Sequence, residues 1–230
     1  MTAEPLDEGR LARIGDLMAR RDEHAERDAA ARRLREGSWI DDEDLADARF
    51  VSHSTARDVL WRRIIPQRFH AASLDSLDGE TVDQIHGWAE RPAGRSLVLL
   101  GPVGVGKTWA ALAACRPAHD AGLDVAYWPT GMLLDVLRPS STAEVEIADV
   151  IDVDRLILDD LGVERPTDWT AERLDLIIDG RWRDERPTVV TSNLAPDALR
   201  AQIGDRTFDR IMGDAVILRL SGRSRRRTPR

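Results

Sequence analysis

The sequence predicts an α/β fold: a five-stranded parallel sheet flanked by helices and preceded by a short helical N-terminal arm. Three observations carry that prediction. From residue 96 onward, short apolar runs alternate with stretches of helical composition, the sequence form of a parallel sheet whose crossovers are helices. The first run leads straight into Gly101-Pro102-Val103-Gly104-Val105-Gly106-Lys107-Thr108, after which an alanine-rich segment can open a helix. Residues 6–36, by contrast, are rich in Ala, Arg, Glu and Leu and contain no strand-like run.

In that N-terminal stretch Leu11, Ile14 and Met18 stand at i, i+3 and i+7, which predicts a helix with one narrow apolar stripe. Such a stripe cannot make a core alone. An acidic run, Asp41-Asp42-Glu43-Asp44, precedes a second expected helix from Ser54 to Arg63. Residues 1–63 therefore read as a helical arm for docking a partner, or else as a solvated helical extension. Residues 64–222 read as the core and 223–230 as a basic tail.

The expected strands are Ser96–Leu100, Asp124–Trp128, Arg155–Leu158, Thr188–Thr191 and Ala215–Leu220. Each ends near glycine or polar residues. Ligands of open α/β sheets sit outside the carboxyl ends of the strands, so the polar ends mark where chemistry is expected.

The glycine segment is a full GxxxxGK[ST] match in the strand-loop-helix context that the motif requires. Lys107 is also the one lysine of the chain, arginine supplying every other cation among 33 Lys and Arg. A compact ammonium fits between phosphate oxygens where a planar guanidinium does not. The loop Gly101, Pro102, Val103, Gly104, Val105 and Gly106, with its backbone N–H groups, and the helix N-terminus can surround a β-phosphate. Lys107 can bridge β- and γ-oxygens, and the Thr108 hydroxyl can ligate Mg²⁺.

Arg155–Leu158 delivers two carboxylates, Asp159 and Asp160, to the mouth of the sheet. Asp159 is expected in the Mg²⁺ shell, and Asp160 is placed to orient or deprotonate an attacking water. Thr188–Thr191 ends in Ser192-Asn193. The amide of Asn193 can hold that water without changing charge, or can simply cap the strand.

Composition excludes several other classes. A lone Cys115 permits no intramolecular disulfide framework, and no Cys/His cluster has zinc-ligand spacing, which points to a reducing, cytoplasmic setting. The first 21 residues mix both charge signs, unlike a signal peptide, and no apolar run approaches the roughly 20 residues of a membrane span. A formal charge of −8 argues against a globally basic nucleic-acid binder. It hides an uneven distribution, with 14 acids against 9 bases in residues 1–50 and five arginines in the last eight residues: Arg223, Arg225, Arg226, Arg227 and Arg230. Any DNA contact is therefore expected to be local, and the tail is alternatively a solvated basic end.

With these elements identified, the chain resembles the AAA+ ATPases of the DnaC/IstB type, which include bacterial and phage replicative helicase loaders and transposase helper ATPases. The resemblance runs from Ile64 to Arg226. It rests on Ile65-Pro66-Gln67-Arg68-Phe69, Leu158-Asp159-Asp160-Leu161-Gly162, Arg186–Leu194 and Gly204-Asp205-Arg206-Thr207-Phe208-Asp209-Arg210-Ile211. It implies a P-loop AAA+ core, ATP and Mg²⁺ as ligands, and ATP hydrolysis. By resemblance Asn193 is sensor 1, and Arg210 is the arginine finger that reaches a neighbouring subunit's ATP, with Arg206 a second candidate. Arg226 corresponds to sensor 2, although Arg225 stands where the family usually has an aromatic, and Asp160 stands where many AAA+ proteins have glutamate.

The resemblance further implies an ATP-dependent homo-oligomer whose arm grips a replicative DNA helicase and delivers it onto single-stranded DNA. The alternatives are a transposase helper of the IstB type, or a nucleotide-gated interaction protein with little turnover. Between the second and third strands, Thr130–Val153 has room for the extra helix that related loaders use to line a DNA channel, beginning at Gly131–Leu137. Arg138 is its one basic residue, whereas Asp135, Glu144, Glu146, Asp149 and Asp152 are acidic, so a strong phosphate-tracking groove is not evident.

Overall fold

The computed structural model describes residues 61–62, 64–77, 79, 81–139, 141, 145–164, 166–222 and 224. The arm with Leu11, Ile14 and Met18, and the tail arginines 223, 225, 226, 227 and 230, lie outside the described residues. Those described belong to one compact unit, Ser54–Arg230.

Two short 3₁₀ turns, Gln67–Phe69 and Leu74–Ser76, lead into helix α1 (Val82–Glu90). The sheet then follows in alternation: β1 (Leu97–Leu100), α2 (Lys107–Asp120), β2 (Val125–Pro129), α3 (Thr130–Val136), α4 (Ile147–Asp152) and β3 (Arg155–Asp159). After these come α5 (Asp168–Arg183), β4 (Thr188–Ser192), α6 (Pro196–Ile203), α7 (Asp205–Met212) and β5 (Val216–Arg219). All five expected strands form. They pair in parallel in the order β2-β3-β4-β1-β5.

The central strands β1, β3 and β4 are buried along almost their whole length because helices cover both faces of the sheet. Side chains alternate between those faces, and the chain fills two separate cores accordingly. Leu97, Leu99, Ile157 and Val189 face α1 and α2, where they meet Ile85, Trp88, Ala111, Cys115 and Trp61. Val98, Leu100, Leu156, Leu158 and Val190 face the other way, onto Leu174 and Ile177 of α5, Leu199 of α6 and Phe208 and Ile211 of α7. The stretch expected to hold one extra helix carries two short ones, α3 and α4. Among the described residues no helix is long and apolar enough to cross a membrane.

One buried cation ties the second layer together. The Arg181 guanidinium, 1% exposed, donates to the carbonyls of Val150, Ile151, Val153 and Pro187 and to Thr188 Oγ1. It thereby fastens the α4–β3 turn to the start of β4. Burial is the main reason its pKa falls to about 9.

Candidate nucleotide-binding site

The glycine loop begins where β1 ends and closes where α2 begins, so its amides and the helix N-terminus converge at the carboxyl edge of the sheet. Two of its glycines are required by close approach. At Gly101 (φ +150°) a Cβ would lie 2.2 Å from the carbonyl oxygen of Leu220, and at Gly104 (φ +88°) it would lie 2.2 Å from Ser224 Oγ. The chain leaving β5 therefore lies against the loop.

Lys107, 5% exposed, donates from Nζ to the carbonyls of Gly101 (2.9 Å) and Pro102 (3.0 Å) and to Asn193 Oδ1 (2.6 Å). Lysine has only donors, so this contact fixes which end of the Asn193 amide faces it. The amide nitrogen is left to donate to Asp160 Oδ1 at 3.1 Å. Lys107, Asn193 and Asp160, far apart in sequence, form one continuous hydrogen-bonded chain.

Asp159 lies beside it, 5% exposed. Thr108 Oγ1 donates across both of its oxygens, at 2.9 Å to Oδ1 and 3.1 Å to Oδ2. Thr191 Oγ1 donates to Oδ1 at 2.7 Å, and Tyr127 Oη donates to Oδ2 at 2.9 Å. Below, Thr130 Oγ1 holds the Asp159 carbonyl at 3.0 Å. Strand register explains why these groups meet. Tyr127 pairs with Ile157, Ile157 with Val189, and Leu99 with Thr191; residues two apart share a face, so Tyr127, Asp159 and Thr191 all point to the α2 side.

Asp160 turns the chain away from the strand in a left-handed conformation, φ +56°. Its backbone N–H donates to Thr191 Oγ1 at 2.9 Å. Thr191 thus connects the two neighbouring acids. Beyond them, Glu164 accepts the Gly162 N–H, and burial raises its carboxyl above the ordinary value.

The donor set suits a magnesium nucleotide. Thr108 and Asp159 offer hard oxygen ligands side by side. No cluster of three or more His, Cys, Asp or Glu able to hold a metal occurs among the described residues. An ion held by a single protein carboxylate fits Mg²⁺, which keeps waters and takes phosphate oxygens as its remaining ligands. The cleft in front of the loop measures about 610 Å³ and continues between Val163 and the aromatic pair Phe69 and Trp109. The rings of that pair meet edge-on with centroids 6.5 Å apart, and Trp109 Nε1 donates to Ser76 Oγ at 2.8 Å.

Arg210 is not part of this cluster. It lines a different cleft with Ser96, Thr188 and Ala215, at the amino ends of β1, β4 and β5. There its guanidinium pairs with Asp175, Nη1 at 3.1 Å from Oδ1, and with Asp179. Arg206, 67% exposed, approaches the same two acids at 3.7 and 3.8 Å.

Sequence reasoning did not single out Tyr127, Thr191, Trp109 or Phe69 as functional. A tyrosine in an apolar strand and a threonine before a strand end carry no local signal. Only strand order brings them to Asp159.

A glycine loop, a lysine and a hydroxyl–carboxylate pair at the carboxyl edge of this sheet define the class: a P-loop nucleotide-binding protein with an AAA+ core. Residues 67–230 match the family model of the IstB-like ATP binding proteins, and the chain belongs to that family. It is similar to the insertion sequence ATP-binding protein y4uH of Sinorhizobium fredii, 29% identical over 209 residues that cover 84% of this chain and 78% of that protein. It is also similar to the replicative helicase loader DnaI of Bacillus subtilis, 30% identical over 161 residues, covering 63% of this chain and 51% of the loader. The match therefore spans about half of the loader's length. In fold, it resembles the crystal structure of DnaI with a TM-score of 0.62 at 24% identity, covering 70% of this chain and 94% of that one.

Proposed function

We propose that this protein hydrolyses ATP at the Lys107 site, that a second subunit completes the site with an arginine, and that the assembly delivers a replicative DNA helicase onto single-stranded DNA. The observation that carries the catalytic part is the chain Lys107–Asn193–Asp160. It connects the group that meets the phosphates to the carboxylate suited to activate water. Bound Mg²⁺ would neutralise charge on the phosphates, with Thr108 and Asp159 holding it. Asp160 accepts a proton from the attacking water, and Asn193 keeps that carboxylate in line with the lysine.

Arg210 lies at the opposite edge of the sheet from its own phosphate loop. A role in hydrolysis therefore requires another subunit's nucleotide, for which Arg210 exchanges Asp175 and Asp179. The more exposed Arg206 is the second candidate. A guanidinium supplied only on docking makes turnover depend on assembly.

The test is ATP turnover per subunit as a function of protein concentration. It is expected to rise steeply in the wild type and to stay at background in Lys107→Ala. Turnover that is independent of concentration, or unaffected by Lys107→Ala, rules the proposal out.

A second reading has its own support. The y4uH alignment runs along 84% of this chain, against 63% for DnaI, which favours a helper for a transposase. Pull-downs with the host's replicative helicase and with an adjacently encoded transposase, each with and without ATP, decide between them. If charged residues in place of Leu11, Ile14 and Met18 leave helicase capture intact, the arm is not the docking element. Binding of ATP without turnover, by contrast, supports a nucleotide-gated switch.

A further inference from the structure

We propose that Tyr127 is a positioning residue for the metal-facing carboxylate. With Thr191 it forms a two-sided hydroxyl clamp that holds the plane of Asp159 for Mg²⁺. This rests on the reading of Thr108 and Asp159 as the metal-binding pair.

The geometry is that of a group held from both neighbouring strands. β3, which carries Asp159, lies between β2 and β4. Tyr127 of β2 donates to Oδ2 at 2.9 Å, and Thr191 of β4 donates to Oδ1 at 2.7 Å. The terminal torsion of an aspartate is broad and weakly directed by its own covalent structure, so outside partners set its plane. Here there is one on each oxygen. Thr108 spans both oxygens and is itself a metal ligand candidate, so it cannot serve as an independent anchor.

Tyr127 is also a dependable donor. Its phenol carries one O–H and the Asp159 carboxylate offers only acceptor oxygens, so the bond runs from Tyr127 to Asp159. Mg²⁺ demands near-ideal octahedral geometry, so a carboxylate left to rotate binds it less well. Loss of one outer partner typically costs metal ligation about 10–100-fold.

Thr191 adds a second function to the clamp. While donating to Asp159 it accepts the backbone N–H of Asp160 at 2.9 Å. The same hydroxyl thus aligns the metal-facing acid with the acid assigned to water.

The test uses the full chain and Mn²⁺ as a paramagnetic probe, measuring its affinity by electron paramagnetic resonance in the presence of ADP. Tyr127→Phe keeps the ring and removes only the hydroxyl. It should bind ADP without metal to within about twofold of wild type and bind Mn²⁺ about tenfold more weakly. Thr191→Val should weaken Mn²⁺ similarly, and Thr191→Ser, which keeps the hydroxyl, should restore it. Mn²⁺ affinity in Tyr127→Phe equal to wild type overturns the clamp, as does an equal loss in Thr191→Ser and Thr191→Val. If the wild type with ADP binds no Mn²⁺, the metal-site reading fails first, and the role of Tyr127 with it.

Discussion

Asp160→Asn separates the chemistry assigned to this carboxylate from the fold that carries it. The backbone at Asp160 is left-handed, φ +56°, a conformation that Asp and Asn visit more readily than other residues. The substitution should therefore leave the turn intact. The backbone N–H bond to Thr191 does not involve the side chain, and an amide oxygen can still accept from Asn193 Nδ2, now 3.1 Å away. What disappears is the negative charge and the capacity to take a proton. General-base catalysis is worth about 10²–10⁴ in rate, or about 3–5 kcal/mol of barrier at roughly 1.4 kcal/mol per tenfold. Single-turnover hydrolysis should fall by that factor, while ADP affinity and the thermal midpoint stay near wild type. Asp160→Ala is the contrasting variant, because it adds the left-handed cost of about 1–2 kcal/mol and should lower stability as well. Hydrolysis by Asp160→Asn within about threefold of wild type, well under the 10²–10⁴ expected, refutes the role given to Asp160.

Arg181→Met leaves four carbonyls and the Thr188 hydroxyl without the donor supplied by a side chain that is 1% exposed. Urea denaturation should show a loss of at least about 3 kcal/mol, because the Val150 and Pro187 carbonyls and the Thr188 hydroxyl are buried and each costs roughly 1–3 without its donor; an unchanged midpoint contradicts that account. Cys115 is fully buried, and desolvation pushes its thiol up to about 12, so at pH 8 roughly one molecule in 10⁴ carries the reactive thiolate. Labelling by a disulfide reagent should follow unfolding of the chain, and rapid native-state labelling contradicts the burial. Glu164 has its carboxyl raised by burial. The folded state favours its protonated form, so its contribution is present below the ordinary carboxyl pKa and is lost as pH rises through the raised value. Glu164→Gln should therefore be more stable than wild type at pH 7 and gain little at pH 4; a larger gain at pH 4 contradicts the direction of the shift.

The parts of the site legible in the sequence are those encoded locally. Ser96–Leu100 reads as a buried strand because both faces are covered, and the glycines and Lys107 follow it without a break. Asp159 and Asp160 stand out because two charges end an apolar run. Tyr127 and Thr191 were illegible for a different reason. Their contact with Asp159 depends on β2 and β4 both flanking β3, and strand order is a tertiary outcome that no local pattern states. The same holds for Arg210, whose pairing with Asp175 and Asp179 comes from α7 packing on α5. By length, Thr130–Val153 has room for one extra helix. In the fold α3 begins directly where β2 ends, with Thr130 anchored to the Asp159 carbonyl, and α4 forms separately beneath Arg181.

The proposed division of the site between subunits is tested most directly by a mixing experiment. Arg210→Ala retains Lys107, Asp160 and Asn193 but lacks the proposed finger, while Asp160→Asn retains the proposed finger but lacks the proposed base. Each alone is expected to hydrolyse ATP at background. Mixed in equal amounts, they form interfaces in which an intact phosphate site faces an intact arginine, and turnover should reappear, rising with total protein concentration. Should the mixture remain as inactive as its components while wild-type turnover rises with concentration, completion of the site by Arg210 of a neighbour is contradicted.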